Sequence, residues 1–203
     1  LTALLAFFAL ALVVYFLQEK KQAPISIDFP DSPVLGKKDA PVAMVFFEDL
    51  QCGGCKAFNF EVLPGLRKSY IETGLVRLTI VPLAFLPGSK PLANAALAVY
   101  KIAPDRFFPY VDAICHDAKE AQSETAIQQR LINLAKAIGG IDLLEFKSCV
   151  MTDCHYSTLE KNFVRAKELM GKEFGTPTLF FNGVSISTDS LQDIDAKIKQ
   201  AIR

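Results

Sequence analysis

The 203-residue chain has no tryptophan and only two histidines, carries no formal net charge, and shows no internal repeat or low-complexity tract. Its 22 basic side chains balance 22 acidic ones, so nothing electrostatic points to a nucleic-acid partner. A composition 51% hydrophobic and 22% charged excludes a disordered chain. Without repeats, one domain of ordinary size with an appendage accounts for the length. Two features stand out against these absences. Mean hydropathy is +0.26, high for a soluble protein, and the cysteines number five, an odd count.

The hydropathy excess is local. Residues 1–17, LTALLAFFALALVVYFL, hold about +45 of roughly +53 hydropathy units, and the remainder averages close to zero. As a helix this segment spans roughly 25 Å against a hydrocarbon core of about 30 Å. Thr2 is its single polar residue, so it lacks the polar stripe of a core helix. Its Ala-x-Ala, Ala9-Leu10-Ala11, lies inside the apolar run rather than after it, which favours an uncleaved signal anchor over a cleaved signal peptide. Because the chain opens at Leu1, upstream residues are expected to complete the span and supply the positive flank. The reading divides the chain into a membrane segment at 1–17, a linker at 18–33 and an exported domain at 34–203.

Within the exported part, the run 42–47 (VAMVFF) suits a strand buried on both faces. Cys52-Gly53-Gly54-Cys55 follows, then apolar residues at helical spacing: Phe58, Val62, Leu66 and Tyr70. A second strand is expected over 76–82, parallel to the first because a helix separates them. From about 89 to 171 the periodicity is helical, with breaks at Pro104, Gly139-Gly140 and Thr152-Asp153. Strand chemistry returns at 178–181, Asn182-Gly183 marks a hairpin, and an amphipathic helix closes the chain. The order is β-α-β, a helical block, then β-β-α.

The CxxC motif sits between a strand and a helix start. The first thiol there faces unsatisfied N–H groups and the positive end of the helix dipole, which favour thiolate. Cys52 is thus expected to attack and Cys55 to resolve the mixed disulfide. A structural disulfide would close a small strained loop, better at exchange than at stabilisation. A zinc site would need Cys149, Cys154 and His155 as a second ligand group, at a spacing wider than usual knuckles. Two inert cysteines are the remaining alternative. In an exported chain the strand–CxxC–helix placement favours redox chemistry.

The order strand–CxxC–helix–strand, a helical insertion, then Gly175-Thr176-Pro177-Thr178 ahead of a strand and Asn182-Gly183, resembles the thioredoxin fold. Over roughly 34–203 it is most similar to the DsbA-like thiol-disulfide oxidoreductases of bacterial envelopes, as is Phe47-Glu48-Asp49-Leu50-Gln51 ahead of Cys52. The resemblance implies an α/β thioredoxin fold with a helical insertion at about 89–171. It implies a cis peptide before Pro177, beside the active-site cysteines, with Thr176 presenting backbone groups to an extended substrate. No metal or organic cofactor is implied. The expected partners are exported proteins with cysteines, and a membrane redox partner of the DsbB or VKOR type. A reductase or isomerase would need an electron donor instead, and a non-enzymatic thioredoxin-like chaperone or metal-binding module is the competing class.

The departures carry information. Gln51 stands where thioredoxins usually have tryptophan, and Phe46 where a buried acid is often found. That leaves Glu48, Asp49 or water as proton acceptor for Cys55. Gly53-Gly54 replaces the Pro-His of strongly oxidising members, so no imidazole supports the Cys52 thiolate and a less oxidising protein is expected. Of Cys115, Cys149 and Cys154, one pair is expected to form a structural disulfide and one thiol to remain spare; spacing does not decide which. A 149–154 pairing requires a corner at Thr152-Asp153. His116 and His155 are read as surface or capping residues, Phe107, Phe108 and Tyr110 as core and groove lining. Lys161, Arg165 and Lys167 are read as a solvated helix face, and the run 81–86 as core or substrate groove.

Overall fold

The computed structural model describes residues 25–117, 123–188 and 190–202. The membrane segment expected at 1–17 and residues 18–24 of the linker lie outside these residues. Among the described residues no helix is long and apolar enough to cross a membrane.

Five strands form one sheet: β1 Val34–Leu35, β2 Val42–Asp49, β3 Val76–Leu83, β4 Thr178–Phe181 and β5 Val184–Ile186, in the order β1-β3-β2-β4-β5. β2 and β3 pair in parallel, from Val42 opposite Val76 to Asp49 opposite Leu83. β4 runs antiparallel to β2, with Phe47 opposite Thr178. β1, which the sequence reading did not include, pairs antiparallel with β3. The continuous apolar run of β2 fits its central position, because side chains of alternating parity serve opposite faces of the sheet. Met44 and Phe46 enter the larger core, while Val45 and Phe47 enter a smaller one with Phe180, Ala166 and Met170. β2 also continues two residues beyond the expected 42–47, carrying Glu48 and Asp49 on its end.

Helix α1 follows Cys52 directly as one rod in four stretches: Gly53–Ala57 and Leu63–Leu66 are α-helical, Phe58–Val62 and Arg67–Ile71 π-helical. Pro64 explains the first widening, since its ring has no N–H and crowds the carbonyl four residues back. Val62, two residues before it, takes φ −105° and ψ −51°. Between β3 and β4 lie α2 Ser89–Ile102, α3 Phe107–His116, α4 Glu124–Ile138, α5 Leu143–Thr152 and α6 Tyr156–Met170, and α7 Leu191–Ala201 closes the chain. Phe107, Tyr110 and Phe146 are fully buried and extend the larger core into this helical block, with Tyr110 and Phe146 edge to face.

The linker expected at 18–33 is in part packed structure. Phe29 is buried edge-on to Phe47, and Ile25 N–H donates to Gly183 O across 3.1 Å. Residues 25–33 thus cover the smaller core, and their prolines shape a path along the domain. Cys149 and Cys154 form a disulfide between α5 and α6. Asp153 makes the corner in the left-handed region at φ 50°, which turns Cys154 back toward Cys149. Cys115 is the free, buried thiol of the helical block.

Candidate active site

The site lies where β2 ends and α1 begins. Cys52 occupies the cap position of α1 with extended backbone (φ −71°, ψ 124°), and its N–H donates to Asp49 O at 2.8 Å. The chain therefore turns tightly from strand to helix and presents Cys52 Sγ over the first turn. Cys52 is half-buried, whereas Cys55 is fully buried one turn later.

The two sulfurs differ in their electrostatics accordingly. Partial burial pushes the Cys52 thiol up, but the N–H groups of Cys55 and Gly54, the Thr176 side chain and Cys55 more than offset it, and the pKa falls below the ordinary thiol value. Burial dominates at Cys55 and drives its pKa well above that value, with the nearby Glu48 charge adding to the effect. One group is suited to attack and the other to remain protonated until a base removes its proton.

The Thr176–Pro177 peptide is cis and closes over this pair. As a thiol, Cys52 Sγ donates to Thr176 O at 3.3 Å, which ties the 175–178 loop to the helix start across 124 positions of sequence. The two glycines of the motif have separate surroundings. A Cβ on Gly53 meets nothing within 4 Å, while a Cβ on Gly54 lies 2.8 Å from Pro177 Cδ. Gly54 thus permits the close approach of Pro177 to the motif.

The two acidic candidates occupy opposite sides of the β2 end. Both are buried. Asp49 Oδ1 accepts from Gln51 N–H, and its Oδ2 accepts from Phe85 and Leu86 N–H, so the carboxylate fastens the loop after β3. Glu48 shares the sheet face of Phe46 and Met44, toward α1. Its Oε2 accepts from Asn59 Nδ2 at 2.9 Å. Burial, opposed by that hydrogen bond and reinforced by the Asp49 charge, raises its pKa to about 7. Glu48 is therefore a carboxyl able to exchange a proton near neutrality beside Cys55.

Asn59 escaped the sequence reading. The available signal was its position four residues after Cys55, a polar side chain amid the apolar face of Cys55, Phe58, Val62 and Leu66. Cys149 and Cys154, considered as zinc ligands, are instead bonded to each other beside His155. His155 caps α6 through its position, without a side-chain cap bond, and His116 is exposed against Phe60. Phe85, in the run 81–86, is partly exposed and packs on Phe174, just ahead of the cis peptide.

A thioredoxin family model matches residues 28–200. The chain belongs to the thioredoxin family. A probable disulfide bond formation protein D of Bacillus anthracis is 33% identical over 171 residues, covering 82% of this chain and 78% of that one. The disulfide bond formation protein D of Bacillus subtilis is 31% identical over 171 residues, covering 84% of this chain and 75% of that one. Among solved structures, oxidised BdbD of Bacillus subtilis superposes with a TM-score of 0.76 at 28% identity, covering 86% of this chain and 95% of that one. DsbA of Chlamydia trachomatis gives the same TM-score at 29% identity, covering 89% and 95%. The protein is a DsbA-like thiol-disulfide oxidoreductase of the thioredoxin family, with the helical block inserted between the two halves of the fold.

Proposed function

We propose that Cys52 and Cys55 exchange disulfides with exported, cysteine-containing proteins. The observation that carries this reading is the contrast between the two sulfurs: Cys52 half-buried against Thr176 on the cap of α1, Cys55 fully buried behind it. In the oxidising direction a substrate thiolate attacks Cys52 Sγ and the Cys52–Cys55 bond breaks. Cys55 leaves as thiolate and takes a proton from Glu48. A second substrate thiolate then attacks the mixed disulfide, releasing oxidised substrate and the Cys52 thiolate. Two electrons have passed to the protein, and a membrane partner of the DsbB or VKOR type takes them up. The reductive direction runs the same steps in reverse, with Glu48 accepting the Cys55 proton. Thr176 and Pro177 support the site by bordering Cys52, with Thr176 offering backbone groups to an extended substrate.

Gly53-Gly54 places no imidazole beside the Cys52 thiolate, which supports a potential less oxidising than that of relatives with Pro-His between the cysteines. An extracytoplasmic location accords with the DsbA-like relatives, and residues 1–17 would hold the domain at the cytoplasmic membrane. Cys52→Ser is expected to abolish insulin reduction, more than a hundredfold, with the far-ultraviolet circular dichroism unchanged. Retention of activity overturns the assignment. Equilibration with glutathione buffers measures the potential, and a value as high as that of the Pro-His oxidants removes the proposed role of the glycines.

A further inference from the structure

Glu48 is fully enclosed, and a side chain of α1 hydrogen-bonds to it. Asn59, 8% exposed, donates through Nδ2 to Glu48 Oε2 at 2.9 Å and toward Cys115 Sγ at 3.8 Å. Its Oδ1 is buried and meets no donor among the described residues. Asn59 also lines a cleft of about 490 Å³ between α1 and α3, with Arg67, Phe108 and Asp112 at its walls. The amide nitrogen of Asn59 thus meets the enclosed carboxyl and the Cys115 thiol, on a residue that lines the cleft.

We propose that Asn59 is a positioning residue for the Glu48 carboxyl, its amide held between Glu48 Oε2 and Cys115 Sγ. The inference rests on Glu48 serving as the proton acceptor for Cys55. In the reductive direction the proton moves from Cys55 Sγ to the Glu48 carboxylate, the Cys55 thiolate attacks Cys52 Sγ of the mixed disulfide, and the substrate thiolate departs. Asn59 Nδ2–H stabilises the carboxylate form of Glu48 before that transfer and fixes which oxygen is left for the proton. The titratable groups coupled to this carboxyl are Asp49 on its own strand but the opposite sheet face, Cys55 on α1, and Cys115 on α3, with Lys56 and Asp112 acting on Cys115. Burial pushes the Cys115 thiol up to about 12, so it accepts the second amide hydrogen as a neutral group and adds no charge beside Glu48. β3 contributes Pro82 opposite Glu48, without a charge.

The test is the titration of the Glu48 side-chain carboxyl by carbon NMR in the reduced full chain, its resonance assigned by Glu48→Gln, together with the pH profile of insulin reduction. Asn59→Leu removes the donor at similar volume and should move both midpoints upward by about one to two pH units. Asn59→Ser, too short to reach Glu48, should shift them the same way and serves if the leucine variant fails to fold. Asn59→Gln should return the midpoint part of the way. If Glu48→Gln leaves the pH profile intact, Glu48 is not the proton acceptor, and the reading beneath the inference fails. If Glu48→Gln removes that limb while Asn59→Leu and Asn59→Ser move neither midpoint, Asn59 has only a packing role and the inference is overturned.

Discussion

Glu48 and Asp49 are adjacent, carry the same functional group and are both buried, yet their roles diverge. Side chains of neighbouring strand residues point to opposite faces of the sheet. Asp49 meets a loop whose N–H groups have no strand partner, and it accepts from Gln51, Phe85 and Leu86. Glu48 faces the core side, where burial raises its pKa, the Asn59 amide of α1 opposes that and the Asp49 charge reinforces it. A carboxylate with several backbone donors is structural, whereas one enclosed with a single donor holds its proton near neutral pH. Gly53 and Gly54 repeat the contrast on the helix: one has open space beside its Cα, the other the Pro177 ring.

The largest expected effect breaks the structural half of the comparison. Asp49→Ala leaves three backbone N–H groups without their acceptor and should cost about 4 kcal/mol, seen as a thermal midpoint lower by roughly 10 °C. A midpoint within 2–3 °C of the parent, on the order of 1 kcal/mol, would remove the division of labour between the two acids.

Glu48→Gln should act on the pH dependence of stability. The Glu48 pKa lies at about 7 in the folded chain against a reference of 4.5, so between those values the native state binds more protons than the unfolded one. Stability contributed by this group is full below the lower value and falls as pH rises through the upper one, by roughly 3 kcal/mol. Denaturant titrations at acid and neutral pH should show that slope in the parent and lose it in the variant.

The smallest effect sharpens the glycine contrast. Gly54→Ala drives a methyl toward the Pro177 ring and should cost about 1–2 kcal/mol and slow disulfide exchange. Gly53→Ala enters open space in a helix and should be neutral or stabilising by about 0.5 kcal/mol. Parallel thermal and exchange measurements on the pair separate them; equal losses would mean that crowding at Pro177 is not the reason for Gly54.

Much of this architecture was legible in local pattern. The apolar run at 42–47, the CxxC after it, helical periodicity through 89–171 and the Asn182-Gly183 turn each report a constraint set by near neighbours. The end of β2 was less legible, because Glu48 and Asp49 break the apolar run and only pairing with Pro82 and Leu83 keeps them in the sheet. β1 is two residues long, too short for any period to register. The packed stretch 25–33 reads as linker because its prolines speak of local stiffness, while Phe29 is held by Phe47, eighteen positions away.

The sequence alone determined that a thiol pair sits on a helix start behind a buried strand, since dipole, spacing and periodicity act over a few residues. It also determined that Cys149 and Cys154 needed a corner to meet. Only the tertiary structure decided that they do meet, with Asp153 in the left-handed region, and that Cys115 stays free in the interior. It likewise gave the two acids different hydrogen-bond partners. The partners of a buried carboxyl are set by what the fold brings to it, here Asn59 for Glu48 and Phe85 and Leu86 for Asp49, eleven to thirty-seven positions away.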